Sequence, residues 1–424
     1  MIMEGIYMIF KKGNCLIGQS GGPTVAINAS LCGVIEEAIQ DPNIDSIYGM
    51  VNGIQGFLEK RVLNLSDLFG KEEQRNFLKY TPAMYLGSCR YRLPSFEEDP
   101  NVYKEIFSTF QEMNIRYFFY IGGNDSMDTV WKLSQYAKKI SYSIQIIGIP
   151  KTIDNDLPHT DHTPGFGSAA KYIATSVLEI SHDSYIYDIP SVTIIEVMGR
   201  NTGWLSAATA LAKTPYFNGP DLIYLPEVPF VMYEFLKDLR ELQKVKNNII
   251  VAVSEGIKNP EGQYIASQPT GTHIDGFGHA QLSGVGKVLE HIVKSALSCK
   301  VRSIELSVLQ RSAMHIASKT DLDEAQQIGQ EAVKAAQKGL TGHMMTWIRE
   351  SNNPYSLKTS TIPVEKVANQ EKKVPRNWIN DLGNHVTSDM IDYLKPLILG
   401  EVNITYSEGL PKYCDISHLY TKRV

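Results

Sequence analysis

The sequence predicts an α/β protein with mainly parallel sheets, and three observations carry that expectation. Short apolar runs recur along the chain, each closed by Gly, Asn, Asp or Pro and then followed by a helical pattern. The runs are continuously apolar rather than alternating, which suits strands covered by helices on both faces. The chain of 424 residues, 43% of them hydrophobic, is long enough for two domains with real cores.

In chain order the runs are "NCLIG" before Gln19, "RYFFYIGG" before Asn124, "SIQIIGIP" before Lys151 and "SVTIIEVMGR" before Asn201. They continue with "DLIYLPE" before Val228, "NNIIVAVSEG" before Ile257 and "IELSVLQR" before Ser312. After the first run, a helical pattern sets Val25, Ala29, Cys32 and Glu36 on one line and Ile27, Leu31, Ile35 and Ile39 on another. The second line reads as the buried stripe. Further helical patterns cover Asp128–Lys139, Gly167–Ile180, Tyr233–Gln243 and Asp323–Lys338. The stretch Asn352–Lys373 is polar and broken by prolines, and reads as an irregular connector before a final small helical element.

Composition excludes several classes. Net charge is −5, from 46 acidic against 41 basic residues, and no Lys/Arg cluster tracks nucleic acid. The five cysteines are widely spaced and form no C-x-x-C pair, so neither a disulfide framework nor a zinc site is expected, and a reducing cytoplasm fits. Glu4 interrupts the apolar N-terminal stretch and no long apolar span follows, so neither signal peptide nor membrane segment is expected.

Nearly every polar cluster follows an apolar run, the edge at which open α/β sheets bind ligands. "GQSGGPTVAIN" puts Gly21 and Gly22 where backbone N–H groups could meet a phosphate, although a tight strand-to-helix turn needs the same glycines. "IGGNDSM" sets Asn124 and Asp125 after a second Gly pair, suited to a phosphate with its Mg²⁺ or to a simple turn. In an extended "KTIDND", Thr152, Asp154 and Asp156 share one face while Ile153 and Asn155 point away. A carboxylate there could act as general base toward a hydroxyl, and an Asx-rich loop capping its own backbone would look the same. Other runs end in Arg200, Glu255, Arg302 and Arg311, a set suited to a sugar phosphate.

Taken together, "SGGPTVAIN", "GGNDS", "PKTIDND", "EVMGR", "SEG" and "LQR" resemble the 6-phosphofructokinase family from about Gly13 to about Ala317. The remaining C-terminal residues look like the extension of pyrophosphate-dependent members. The resemblance implies two three-layer α/β/α domains with mainly parallel sheets. Residues 13–165 plus 310–360 would hold the phosphoryl donor, 166–309 the fructose 6-phosphate, and 361–424 would be the extension. It implies Asp154 as the base for the sugar's C1 hydroxyl, flanked by Thr152, Ile153 and Asp156. Met198, Gly199 and Arg200 would contact the sugar, Glu255 its hydroxyls, and Arg302 and Arg311 its 6-phosphate. Gly21, Gly22 and Ser126 would cradle the donor, Arg90 would reach the phosphoryl group in flight, and Mg²⁺ would be the cofactor, with Asn124 at the metal position. A cytoplasmic homo-oligomer, dimer or tetramer, is also implied.

Where ATP-using relatives have two glycines, this chain has Asp125 and Lys151. A carboxylate at Asp125 would repel an α-phosphate, and Lys151 would put a cation beside the terminal phosphate of a short donor. The expectation is therefore Mg²⁺-dependent transfer from inorganic pyrophosphate to fructose 6-phosphate. The alternatives are an ATP-dependent enzyme of the same family and a catalytically silent sugar-phosphate-binding subunit. Three positions depart from the family pattern. Asn124 replaces an aspartate, Ser191 an arginine that in tetrameric relatives reaches a neighbour's site, and Val308 a polar residue. Cys32 and Glu36 stand where allosteric relatives place two effector-binding arginines.

Overall fold

A computed structural model describes residues 12–266 and 284–420. Most of the N-terminal stretch assessed above for a signal peptide lies outside that range. The first part of the chain supplies strands β1 (Gly13–Gln19), β2 (Ile44–Met50), β3 (Val62–Asn64), β4 (Ile115–Gly122) and β5 (Gln145–Pro150). The middle supplies β6 (Ser191–Val197), β7 (Leu222–Tyr224), β8 (Asn248–Ser254) and β9 (Lys300–Glu305), and the later part β10 (His343–Asn352) and β11 (Tyr355–Pro363). They form a seven-stranded sheet in the order β11-β10-β5-β4-β1-β2-β3 and a four-stranded sheet in the order β7-β8-β6-β9. All pairings are parallel except β2–β3 and β10–β11.

The apolar runs become strands covered on both faces, as their continuous hydrophobicity requires. Leu16 and Ile17 are neighbours in β1 and both fully buried, yet they enter different cores. Leu16 packs with Phe107 and Val130, Ile17 with Leu31 and Ile328. The four-stranded sheet does the same: Ile195 packs with Phe166 and Ile173, Ile194 with Leu239 and Leu289. Each half is thus a three-layer sandwich.

Several expectations change. The first helix opens at Ile27, further from the Gly pair than its pattern suggested, and Thr24 Oγ1 accepts its first N–H at 3.0 Å. Of its expected stripe Ile27, Leu31 and Ile35 are buried while Ile39 is exposed; Ala29 and Cys32 on the other line are buried as well. The reason is the helix Lys319–Gln337, which crosses so closely that a Cβ on Gly33 would lie 1.9 Å from the Gln326 carbonyl. In "IELSVLQR" the strand ends at Glu305, and Ser307–Arg311 is a 3₁₀ turn. The expected irregular connector contains β11, a polar edge strand flanked by Pro354 and closed by Pro363; its hydrogen bonds to β10 hold it, without apolar alternation. Beyond it, Val364 and Val367 sink into the core beside the Asn124–Lys139 helix, whereas Val374 joins the core of the four-stranded half. The intervening residues pass from one half of the molecule to the other.

Candidate active site

The C-terminal ends of the two sheets face each other across a cavity of about 530 Å³. Residues after β1 supply Gly21 and Gly22, those after β4 supply Asn124, Asp125 and Ser126, and those after β5 supply Lys151 to Asp154 and Asp156. The opposite wall carries Met198 and Arg200 after β6, Glu255 after β8 and Arg311 from the turn after β9; Arg90 also lines the space. Every expected site residue except Gly199 and Arg302 therefore lines one cavity.

Burial alternates along "KTIDNDL" as an extended segment requires: Lys151, Ile153, Asn155 and Leu157 are buried, and Thr152, Asp154 and Asp156 are partly open. The alternation bends at Asn155, whose φ of +53° turns the chain while its amide donates to the Tyr393 hydroxyl at 2.9 Å. Lys151 joins the cavity in spite of its buried stem. Its ammonium donates to the Gly22 carbonyl at 2.7 Å, so the lysine is folded onto the Gly21–Gly22 loop. Gly21 has φ +82°, a backbone that favours glycine, and a Cβ there would sit 3.2 Å from the Lys151 Nζ. Ser126 Oγ donates to Ser20 Oγ at 3.1 Å and joins the two donor-side loops.

The electrostatics are those of a site built for a polyanion and a hydroxyl. Burial pushes Lys151 down to about 8, against the pull of Asp154 and Asp156. Burial raises both aspartates; Arg200 and Lys151 hold Asp154 back, while Asp154 adds its own charge to the lift on Asp156. Burial also takes Glu255 up to about 7. Asp156 Oδ1 and Arg200 Nε are buried without a hydrogen-bond partner. Gly199, though not lining the cavity, donates its N–H to Glu255 Oε1 at 3.2 Å and so orients that carboxylate; its φ is +140°.

Two residues are engaged elsewhere. Arg302 sits level with Thr193 on β6, away from the C-terminal strand ends, and its Nη1 lies 2.8 Å from Asp183 Oδ2. Asn124 lines the cavity, but its amide nitrogen donates to the Gln370 carbonyl and its amide oxygen accepts the Asn369 N–H, so the expected metal ligand is an anchor for a C-terminal segment. Six lining residues escaped the sequence reading: Pro23, Gly123, Asn201, Thr202, Asn369 and Glu371. Asn201 and Thr202 directly follow "EVMGR" and could have been included by adjacency. Asn369 and Glu371 lie in the polar stretch, which carries no local signal of a site.

Among the described residues no group of three or more His, Cys, Asp or Glu is set to hold a metal ion, and no helix is long and apolar enough to cross a membrane. All five cysteines are free thiols.

Glycine loops and cations on one wall, arginines and a glutamate on the other, and a carboxylate between them define a phosphoryl-transfer cleft on a two-part α/β scaffold. The chain belongs to the phosphofructokinase family: the family described as Phosphofructokinase matches residues 14–336. It is similar to the pyrophosphate–fructose 6-phosphate 1-phosphotransferase of Halomonas elongata, 40% identical over 95% of this chain and 96% of that protein. The protein of the same name from Xanthomonas campestris pv. campestris is 42% identical over 96% of this chain and 97% of its own. The crystal structure of the pyrophosphate-dependent phosphofructokinase from Nitrosospira multiformis superposes with a TM-score of 0.85 at 39% identity, covering 95% of this chain and 96% of that one.

Proposed function

We propose that the protein transfers a phosphoryl group from inorganic pyrophosphate to the C1 hydroxyl of fructose 6-phosphate, giving fructose 1,6-bisphosphate and phosphate. The observation that carries this reading is the meeting of Lys151, Asp125 and Asp154 in one cavity, a cation and a carboxylate on the donor wall beside a desolvated base. Asp154 takes the proton of the C1 hydroxyl, the hydroxyl oxygen forms the new P–O bond, and the bridging P–O bond of pyrophosphate breaks to release phosphate. Lys151, held against the Gly22 carbonyl, stabilises the phosphate that leaves. Arg90 and Arg200 spread the charge of the phosphoryl group in transit, Glu255 receives sugar hydroxyls, and Arg311 takes the 6-phosphate. Arg302 has no role inside its own chain's cavity. The seven-stranded half holds the donor and the four-stranded half the sugar phosphate.

Mg²⁺ fits this cavity as a companion of pyrophosphate rather than as a caged ion. The cation usually takes one or two carboxylates and completes its shell with phosphate oxygens and water. Asp156, with a buried unpartnered oxygen, supplies such a carboxylate and leaves Asp154 to act as the base. Bound there, Mg²⁺ would neutralise pyrophosphate and polarise the transferred group. A cytoplasmic assembly of identical subunits completes the reading.

The test is a two-donor assay on the purified protein with fructose 6-phosphate and Mg²⁺. Bisphosphate should form with pyrophosphate and far more slowly, if at all, with ATP. Product with ATP alone, or with neither donor while fructose 6-phosphate still binds, would overturn the proposal.

A further inference from the structure

Asn369–Lys372 runs along the cavity between the two halves, and the chemistry above does not use it. It is tied on both sides. On the donor side Asn124, in the first turn of its helix, exchanges two hydrogen bonds with the backbone of Asn369 and Gln370, and Asn369 Nδ2 lies 3.4 Å from Asp128 Oδ1. On the sugar side Asn201 Nδ2 donates to Glu371 Oε1 at 2.7 Å; back on the donor side the Lys372 N–H donates to the Asp156 carbonyl at 2.7 Å. The Lys372 ammonium, brought down to about 8 by burial, donates to the Thr160 and Asp161 carbonyls at 3.1 and 2.8 Å. The ends of this strap are rooted in different cores, Val367 in one and Val374 in the other.

We propose that this strap, latched by the Asn124 amide, limits the length of the phosphoryl donor. The inference rests on the reading of the cavity as a pyrophosphate site. Asn124 and Asp125 open the helix at the donor wall, next to the Gly21–Gly22 cradle. A donor with a third phosphoryl group must extend past that helix end, where Asn369 and Glu371 already line the cavity. A longer donor therefore meets the fixed backbone and side chain of Asn369, whereas pyrophosphate stops short of them. The latch also explains why an amide serves at position 124: a carboxylate could accept the Asn369 N–H but could not donate to the Gln370 carbonyl.

The test compares pyrophosphate with inorganic tripolyphosphate, which lengthens the donor without adding a base or sugar, and follows hydrogen exchange of the strap amides. Asn124→Ala should speed exchange across residues 369–372 and raise the kcat/KM of tripolyphosphate relative to pyrophosphate about 10-fold or more. Asn369 has φ +61°, so Asn369→Gly keeps the backbone and the latch while removing bulk from the cavity; it should raise the same ratio with little change in exchange. If both folded variants keep the wild-type donor ratio, or if Asn124→Ala leaves exchange unchanged, the proposal falls. Wild-type protein that cannot use pyrophosphate would instead overturn the reading on which it rests.

Discussion

Asp154 can act as a base only while its carboxylate is ionised, and the residues around it make that a balance. Burial works against the charge; Arg200 and Lys151 work for it. Asp154→Asn keeps the volume and removes the base, so turnover should fall about 10²–10⁴-fold while fructose 6-phosphate binding by calorimetry survives. Near-normal turnover would remove Asp154 from the mechanism. Lys151 sets a second limit. With its ionisation brought down to about 8, the cation is present below that pH and lost above it, so kcat/KM for pyrophosphate should decline as pH rises through about 8. On the acid side the raised Asp154 should impose a decline as pH falls. Lys151→Arg keeps a cation at all accessible pH and should move the alkaline limb upward; pyrophosphate's own ionisation is common to both proteins, so identical limbs would exclude Lys151 as their cause.

At the scale of elements, the β10–β11 hairpin buttresses the loop that follows the catalytic segment. Arg349 of β10 holds Asp161 Oδ1 through Nη2 at 2.7 Å, and His162 bridges Asp161 and Glu324 at 2.8 and 2.7 Å. Tyr355 of β11 donates to Glu324 at 2.8 Å, and the Tyr393 hydroxyl donates to the Asp161 carbonyl at 2.7 Å. Burial disfavours the imidazolium, but Glu324 and Asp161 outweigh it and lift His162 to about 9. An unfolded histidine titrates near 6.5, so this contribution to stability is complete below about 6.5 and disappears as pH rises through about 9. The thermal midpoint should fall across that interval. His162→Gln should lower the midpoint at neutral pH and flatten the decline; an unchanged slope in scanning calorimetry would show that another group governs it. The hairpin's apolar signal is weak because its outer strand is a polar edge, so the element that braces the site was the one composition concealed.

For the whole molecule, two sheets direct their C-terminal ends into one cavity, and the chain enters the four-stranded half twice, first between β5 and β6 and again through the strap after it has left between β9 and β10. Regulation belongs to this scale. Glu36, at the position where allosteric relatives carry an effector arginine, accepts the side-chain amides of Gln326 and Gln330 at 2.6 and 3.1 Å, with Arg75 Nε 3.7 Å away. The glutamate is committed to the helix crossing and repels anions. The fructose 6-phosphate saturation curve should therefore be unmoved by nucleoside diphosphates or phosphoenolpyruvate, and a clear shift with either would contradict this assignment.

What the sequence determined by itself is local. Apolar runs closed by polar turns are contiguous, so β1 and β4 to β9, the Gly21–Gly22 turn, the polar cluster Asn124–Ser126 and the alternating "KTIDND" face could be read directly, whereas β2, β3, β10 and β11 were not; burial in the folded chain follows that alternation. Tertiary structure decided what depends on distant partners. Asn124 is an anchor because Gln370, 246 residues away, reaches its amide, and no pattern in either segment encodes that meeting. Arg302 faces Asp183 because its place on β9 is far from the strand's C-terminal end, which spacing within a motif cannot reveal. The polar stretch after Asn352 became a strand and a strap because hydrogen bonds to β10 and to both halves of the cavity replace the apolar periodicity that sequence reading relies on.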